Sequence, residues 1–292
     1  MLLLAGIGLF WGLNWPAMKL AMAEIEPWTF RALGLAVGGV WLLMLGRAWG
    51  GRLAVPRADL VPLVWVSLLN VSGWQICSAL GLSLMPAGRA SIIAFTMPLW
   101  AVLLGIVLLG ERLTAARAAG LALGLAGMAA LLGPDLDRVA AAPAGVLLML
   151  TAAVSWAAGT VALKRVRWHM RAMQLAGWQL LIGSLPAAAG ALAFGDSASL
   201  AGAGWVSWSA LAYTCALAMV WCHWAWFRVV ELFPAGVAAI GTLLVPVVGV
   251  LSSALILDEP IGTPEITALA LVLASLTLVL IVPARPHVAR HG

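Results

Sequence analysis

The chain has 292 residues, 64% of them hydrophobic and 9% charged, with a net charge of +5 and a mean hydropathy of +1.06. Soluble domains carry about 45–50% apolar and ~25% charged residues, so this chain lacks the polar surface to cover a water-soluble globule. The bilayer is its expected solvent, and the basic residues fall at helix ends rather than in a patch, so no nucleic-acid partner is expected.

The first segment is an apolar run from Met1 to Leu13. It has no basic flank and no clear cleavage site, and it reads as a retained helix rather than a leader. Crossing ~30 Å of hydrocarbon takes ~20 residues, and apolar stretches of that length recur to the end of the chain. Helices are predicted over 2–22, 28–47, 60–82, 87–109, 114–132, 144–163, 172–194, 206–229, 234–257 and 263–282. Proline, glycine and charge separate them, as at Glu24 to Pro27, Met85-Pro86-Ala87-Gly88, Gly133-Pro134-Asp135 and Asp258-Glu259-Pro260. The expected fold class is an all-α membrane protein of ten transmembrane helices, with no room for a soluble domain.

Twelve of the 16 Lys and Arg residues fall after helices 2, 4, 6 and 8 or at the C-terminus. Lys19, Arg31, Arg89 and Arg138 fall on the other side. Cationic loops stay in the cytoplasm. The bias therefore predicts cytoplasmic N- and C-termini, an even helix count and a place in a bacterial inner membrane.

The sequence also repeats. Pro86-Ala87-Gly88, Pro98 and Glu111 recur at a constant offset of 148 as Pro234-Ala235-Gly236, Pro246 and Glu259. Trp11 and Lys19 recur at an offset of 145 as Trp156 and Lys164. The unit is five helices, 1–137 and then 138–292. An odd number of helices gives the second copy the opposite topology, and inverted repeats are the signature of many alternating-access transporters, with the substrate near the midplane.

These residues carry a family resemblance. Trp11-Gly12 followed by Lys19, Pro27 with Arg31, and the stretch from Pro86 through Pro98 to Gly110-Glu111-Arg112-Leu113 resemble the drug/metabolite transporter superfamily. Within it the chain is similar to the ten-helix EamA-type exporters, and its tryptophan richness to the bacterial YddG type associated with aromatic amino acids. The resemblance implies an inner-membrane exporter with a central cavity walled mainly by helices 1, 3, 4, 6, 8 and 9.

Sixteen tryptophans stand against one tyrosine and six phenylalanines. Trp28, Trp49, Trp168, Trp205 and Trp208 lie near predicted helix ends and fit an interfacial belt. Trp11, Trp15, Trp74, Trp100, Trp156 and Trp178 fall inside helices. They pack against lipid, or they wall a cavity, where an indole offers apolar area, one N–H donor and a ring face for an ammonium group. An amphiphilic zwitterion such as an aromatic amino acid suits that wall.

Polar side chains at membrane depth face the bundle or a cavity. Asn14, Gln75, Ser78, Thr96, Gln179, His223 and Thr242 are candidates, and interhelical hydrogen bonding is their plainer role. Gln75 and His223 share the 148 offset and are expected to face each other. Lys19 and Arg31 either snorkel to the interface, attract a carboxylate, or pair with Glu24 or Glu26. Pro98 and Pro246 each remove a backbone hydrogen bond and read as hinges or as static bends. Gly120, Gly124 and Gly127 make a small-residue face for packing of helix 5 on helix 10 or for a dimer. A monomer is otherwise expected.

Cys77, Cys215 and Cys222 read as small buried hydrophobes with no metal-ligand spacing. No metal, cofactor or catalytic cluster is expected. All 11 acidic residues lie at or near predicted loops, which argues against proton exchange for cations. The reading is an exporter of neutral or zwitterionic amino acids, with drugs, purines or other small metabolites as the alternative cargo.

Overall fold

The computed structural model describes residues 2–109, 114–135, 143–196, 198–232 and 244–281. Among the described residues there is helix and no strand. The rods are α1 (Leu2–Ala21), α2 (Pro27–Ala48), α3 (Arg57–Ser83), α4 in two segments (Ala87–Ala94 and Met97–Leu109) and α5 (Ala115–Leu132). After these come α6 (Ala144–Arg165), α7 (Ala172–Phe194), α8, α9 (Leu244–Leu257) and α10 (Thr263–Ile281). The rod α8 runs through Trp205–Tyr213, Thr214–Trp221 and Cys222–Leu232. Six stretches are long and apolar enough to cross a membrane: Pro27–Ala48, Arg57–Ser83, Ala87–Leu108, Ala144–Leu163, Ala172–Phe194 and Trp205–Trp226. Ala118–Leu132, Leu244–Leu257 and Thr263–Leu278 are shorter apolar helices.

The exterior of this protein is apolar, unlike that of a soluble one, over an interior that is itself largely apolar. Val107, Leu192, Trp205 and Leu255 stand more than three-quarters exposed. Ser67, Ser72, Ser91 and Ser253 are buried, and each donates its hydroxyl to a backbone carbonyl. Hydrocarbon cannot hydrogen-bond, so polar groups turn inward to find acceptors.

Helix ends are tied by charge. Glu26 accepts from the N–H groups of Trp28 and Thr29 at 2.9 and 3.0 Å, and Pro27 fits the first turn, where an N–H would have no partner. Glu259, just past α9, accepts from Ala87 and Gly88 at 2.6 and 2.8 Å and so caps α4. Lys19 donates to the Leu82 and Met85 carbonyls at 2.7 and 2.8 Å, at the C-terminal end of α3. Glu24 accepts from Ser207 Oγ and from the Gly204 N–H at the start of α8. Ion pairs of Lys19 or Arg31 with Glu24 or Glu26 are therefore not how these charges are used.

The predicted continuous helix over 87–109 is broken at Phe95–Thr96. Pro98 has no N–H for the carbonyl four residues back, and the ladder gives way just before it. The Phe95 N–H keeps the regular bond to Ser91, and the Thr96 N–H turns back only three residues, to the Ile93 carbonyl. Pro246 is buried in the first described turn of α9, and residues 233–243, with Thr242 and the Pro-Ala-Gly of the second repeat, lie outside the described residues, as does Glu111.

Two further interruptions had no sequence signal. Where uninterrupted helices are predicted over 60–82 and 206–229, the structure inserts π turns at Leu68–Gly73 in α3 and Thr214–Trp221 in α8. Adding the repeat offset of 148 to the first turn places it inside the second.

The packing follows a pattern. α2 packs on α7, α5 on α10, α4 on α9; α3 and α4 pack on α6, and α8 and α9 on α1. Exchanging each helix with the one five later maps this set of contacts onto itself. The glycine face of α5 is spent on α10. A Cβ at Gly127 would meet Val272 and the Ala268 carbonyl, and Ser275 donates to the Gly120 carbonyl at 2.6 Å. That face is thus occupied within the chain.

Candidate functional site

Trp11, Asn14 and Met18 lie one turn apart on α1 and make one stripe. Each meets a different neighbour. The Trp11 indole N–H donates to the Ala218 carbonyl at 3.0 Å. That carbonyl belongs to the α8 π turn, where the Cys222 N–H reaches five residues back to Leu217 and the regular ladder is displaced. His223 Nδ1 lies 3.2 Å from the same oxygen. A carbonyl only accepts, so Nδ1 carries the proton. The two rings meet edge to face, with centroids 5.8 Å apart. One turn on, Thr214 donates to Asn14 Oδ1 at 2.9 Å, with both side chains buried.

Met18 leads to the third group. Its sulfur lies 3.1 Å from Arg31 Nη2, which also donates to Ser78 Oγ at 3.1 Å. Ser78 in turn donates to the Gln75 carbonyl. Arg31 is 3% exposed. Gln75 is buried as a residue, and its side-chain amide has no hydrogen-bond partner among the described residues. The sequence leaves open whether Arg31 snorkels; it does not, because its head group is sealed between α1, α2 and α3.

The other candidates fall in three places. Trp15 is buried in the main core with Met18, and Trp11 and Trp74 pack against that core. Thr96 and Trp100 pair with each other beside the α4 break, the indole donating to Thr96 Oγ1 at 3.2 Å. Trp156, on α6, meets the α3 π turn through its backbone: its carbonyl accepts from Asn70 Nδ2 at 3.2 Å. Trp178 donates to the Leu53 carbonyl of the α2–α3 loop and so joins the interfacial tryptophans.

The structure thus brings together Trp11, Asn14 and His223 around one π turn, and Ser78 with Arg31. The sequence reading missed Asn70, Ser155, Thr214 and Met18. A threonine or methionine within an apolar helix carries no periodic signal; their roles come from the displaced carbonyls and the buried guanidinium beside them.

The comparisons with known proteins agree with this architecture. The EamA-like transporter family matches residues 1–133 and 143–281. An uncharacterized transporter, YvbV of Bacillus subtilis, is 30% identical over 95% of this chain and 90% of its own length. A probable amino-acid metabolite efflux pump of Escherichia coli is 29% identical over 91% of this chain and 89% of that protein. The aromatic amino acid exporter YddG of Ancylobacter novellus is 33% identical over 52% of this chain and 55% of that one. A protein crystal structure 25% identical in sequence superposes with a TM-score of 0.65, covering 94% of this chain and 95% of the other.

Proposed function

We propose that this chain, which belongs to the EamA-like transporter family, exports aromatic and other neutral amino acids across a bacterial inner membrane by alternating access. Members of this family are multi-pass membrane transporters and not enzymes. In the proposed arrangement ten helices cross the bilayer as two inverted five-helix halves, 1–137 and 138–292, with both termini in the cytoplasm and a monomer as the working unit.

The observation that carries the reading is the pair of π turns. Trp11 and Trp156, one repeat apart, meet Ala218 and Asn70, which are also one repeat apart. Equivalent residues meet twice, once from each half, through different atoms: the Trp11 indole donates to the Ala218 carbonyl, and the Asn70 amide donates to the Trp156 carbonyl. A pairing of equivalent positions is what a pseudo-two-fold axis requires. Separate matches of the family to 1–133 and 143–281 fit two halves of one ancestry. A substrate shared between halves would lie near α1, α3, α6 and α8, where the indoles of Trp11 and Trp74 and the free Gln75 amide offer apolar area and a polar handle. The break at Phe95–Thr96 gives α4 a place to bend, and Pro98 and Pro246 are the matched hinges of the two halves. The names of the efflux-pump and exporter relatives supply the cargo class.

The test is counterflow in proteoliposomes preloaded with unlabelled L-tryptophan, following uptake of the labelled amino acid. Wild type accumulates label, and Gln75→Ala slows it by about 2- to 10-fold, the value of a lost hydrogen bond. No counterflow of any neutral amino acid would sink the cargo assignment.

A further inference from the structure

Among the described residues, Arg31 is a guanidinium without a counter-ion. It sits on α2 at 3% exposure, and among the described residues no carboxylate is within ion-pair distance of it. Among the described residues only Nη2 of its five donors is hydrogen-bonded, by one hydroxyl and one thioether, and the guanidinium carbon lies 5.3 Å from the centre of the Phe30 ring. Nε is completely enclosed and has no acceptor. A buried charge in a bilayer is expensive unless paired, and arginines retained there serve a ligand or a partner. A purely structural arginine would be surrounded by carbonyls or carboxylates. This one has Met18 Sδ, a weak acceptor on a flexible side chain that is easily moved aside.

Space lies next to it. Gly34 is on the same face of α2, one turn on, and is buried; yet a Cβ built there would meet no atom of the described residues within 4 Å. Other glycines of that helix behave differently. At Gly38 a Cβ would strike Met219 at 2.8 Å, and at Gly39 Leu181 at 2.8 Å. The void is therefore local to the turn that carries Arg31.

We infer that Arg31 is a binding residue that anchors a carboxylate of the transported molecule, with the Gly34 void taking the adjoining atoms. Nε and Nη2 form one edge of the planar fork, and that edge matches the two oxygens of a carboxylate. The incoming group displaces Met18 Sδ, and Ser78 holds the far side of Nη2. The inference rests on the transport reading but not on the amino group of the cargo. Any apolar carboxylate meets the same fork.

The experiment uses matched pairs that differ only at the carboxyl group: L-tryptophan with L-tryptophanamide, and indole-3-acetate with indole-3-acetamide. Counterflow of each is measured with full-length wild type, Arg31→Met and Gly34→Leu in proteoliposomes. Wild type is expected to carry the acid of at least one pair with a KM about 10- to 100-fold below that of its amide, the range for a charge-assisted hydrogen bond. In Arg31→Met the ratio of the amide KM to the acid KM falls to about 1, because the acid loses its anchor and the amide had none to lose. Gly34→Leu, which keeps the charge but fills the void, raises the KM of the acid as well. Arg31→Met lowering acid and amide in parallel assigns Arg31 a structural role and overturns the inference. So does a wild type with no preference for the acid, or one that carries neither member of either pair. Should Arg31→Met fail to fold, an unchanged acid KM in Gly34→Leu overturns it. If the indole acids behave as expected and no amino acid is carried, the carboxylate anchor stands and the amino-acid cargo falls.

Discussion

The two π turns use the same backbone device and meet their neighbours differently. At the α3 turn, α6 comes close enough for backbone contact. Gly159 lies against Asn70, where a Cβ would stand 2.5 to 2.6 Å from the Asn70 Cβ, Cα and N, and Ser155 donates to the Leu69 carbonyl at 2.7 Å. At the α8 turn the position one repeat away from Gly159 is Asn14, and side chains fill the gap: Asn14 accepts from Thr214, and Trp11 donates to Ala218. One junction is sealed by a missing side chain and the other by polar and aromatic ones. The two turns share the displaced backbone and differ in the chemistry around it; the α8 junction brings an imidazole, an indole and an amide together.

The strongest way to break this contrast is Gly159→Leu. The side chain would run into backbone that cannot move aside, and overpacking of this kind costs about 1–3 kcal/mol or more. A large fall in melting temperature and in yield of purified protein is expected. A variant that melts like wild type would mean that the α3–α6 junction is not closed by backbone contact. Asn14→Ala acts on the other junction and is expected to be milder. It leaves the buried Thr214 hydroxyl without its acceptor, a loss of ~0.6–2 kcal/mol, read as a shift of a few degrees in thermal unfolding. Trp11→Phe keeps the ring and removes the N–H. The Ala218 carbonyl retains His223, so the loss lies at the low end of ~0.5–1.5 kcal/mol. If Trp11→Phe proves more damaging than Asn14→Ala, the indole N–H and not the Asn14–Thr214 pair holds the α1–α8 junction.

The smallest effect is one of pH. The Ser207 hydroxyl, with help from the Gly204 N–H, holds the Glu24 carboxyl below its ordinary value of 4.5, against a smaller opposing effect of desolvation. A carboxylate with a lowered folded-state value stabilises the fold at pH above its ordinary value, and the benefit disappears as pH falls through the folded value. Ser207→Ala should therefore melt slightly below wild type at neutral pH, and the gap should narrow as the pH is taken to about 3. A gap independent of pH would remove Glu24 from the account of the α1–α8 junction.

Much of this architecture is legible in the primary structure because the bilayer imposes a simple code. Segments of ~20 apolar residues broken by proline, glycine and charge mark helices, and the observed rods follow the predicted spans closely where they are described. The glycines of α5 signalled a close helix contact; Pro98 signalled a hinge or bend within a continuous α4, where the structure has a break two residues earlier, because the lost hydrogen bond falls on the turn before a proline. The candidate residues were less legible. Trp11 and His223 stand out as polar or aromatic groups in apolar runs, but nothing in their spacing says that both would bond to the Ala218 carbonyl.

The helical membrane class of the fold and the set of unusual residues follow from local composition and spacing, and so are readable in the primary structure. Tertiary structure alone decided which of those residues meet. The π turns displace carbonyls from the helical ladder, and only a neighbouring helix can say which donor comes to each. Arg31 shows the same division. Its sequence position near a helix end suggested a snorkelling charge, and only the packing of α1 and α3 around α2 turned it into a sealed guanidinium beside an open space.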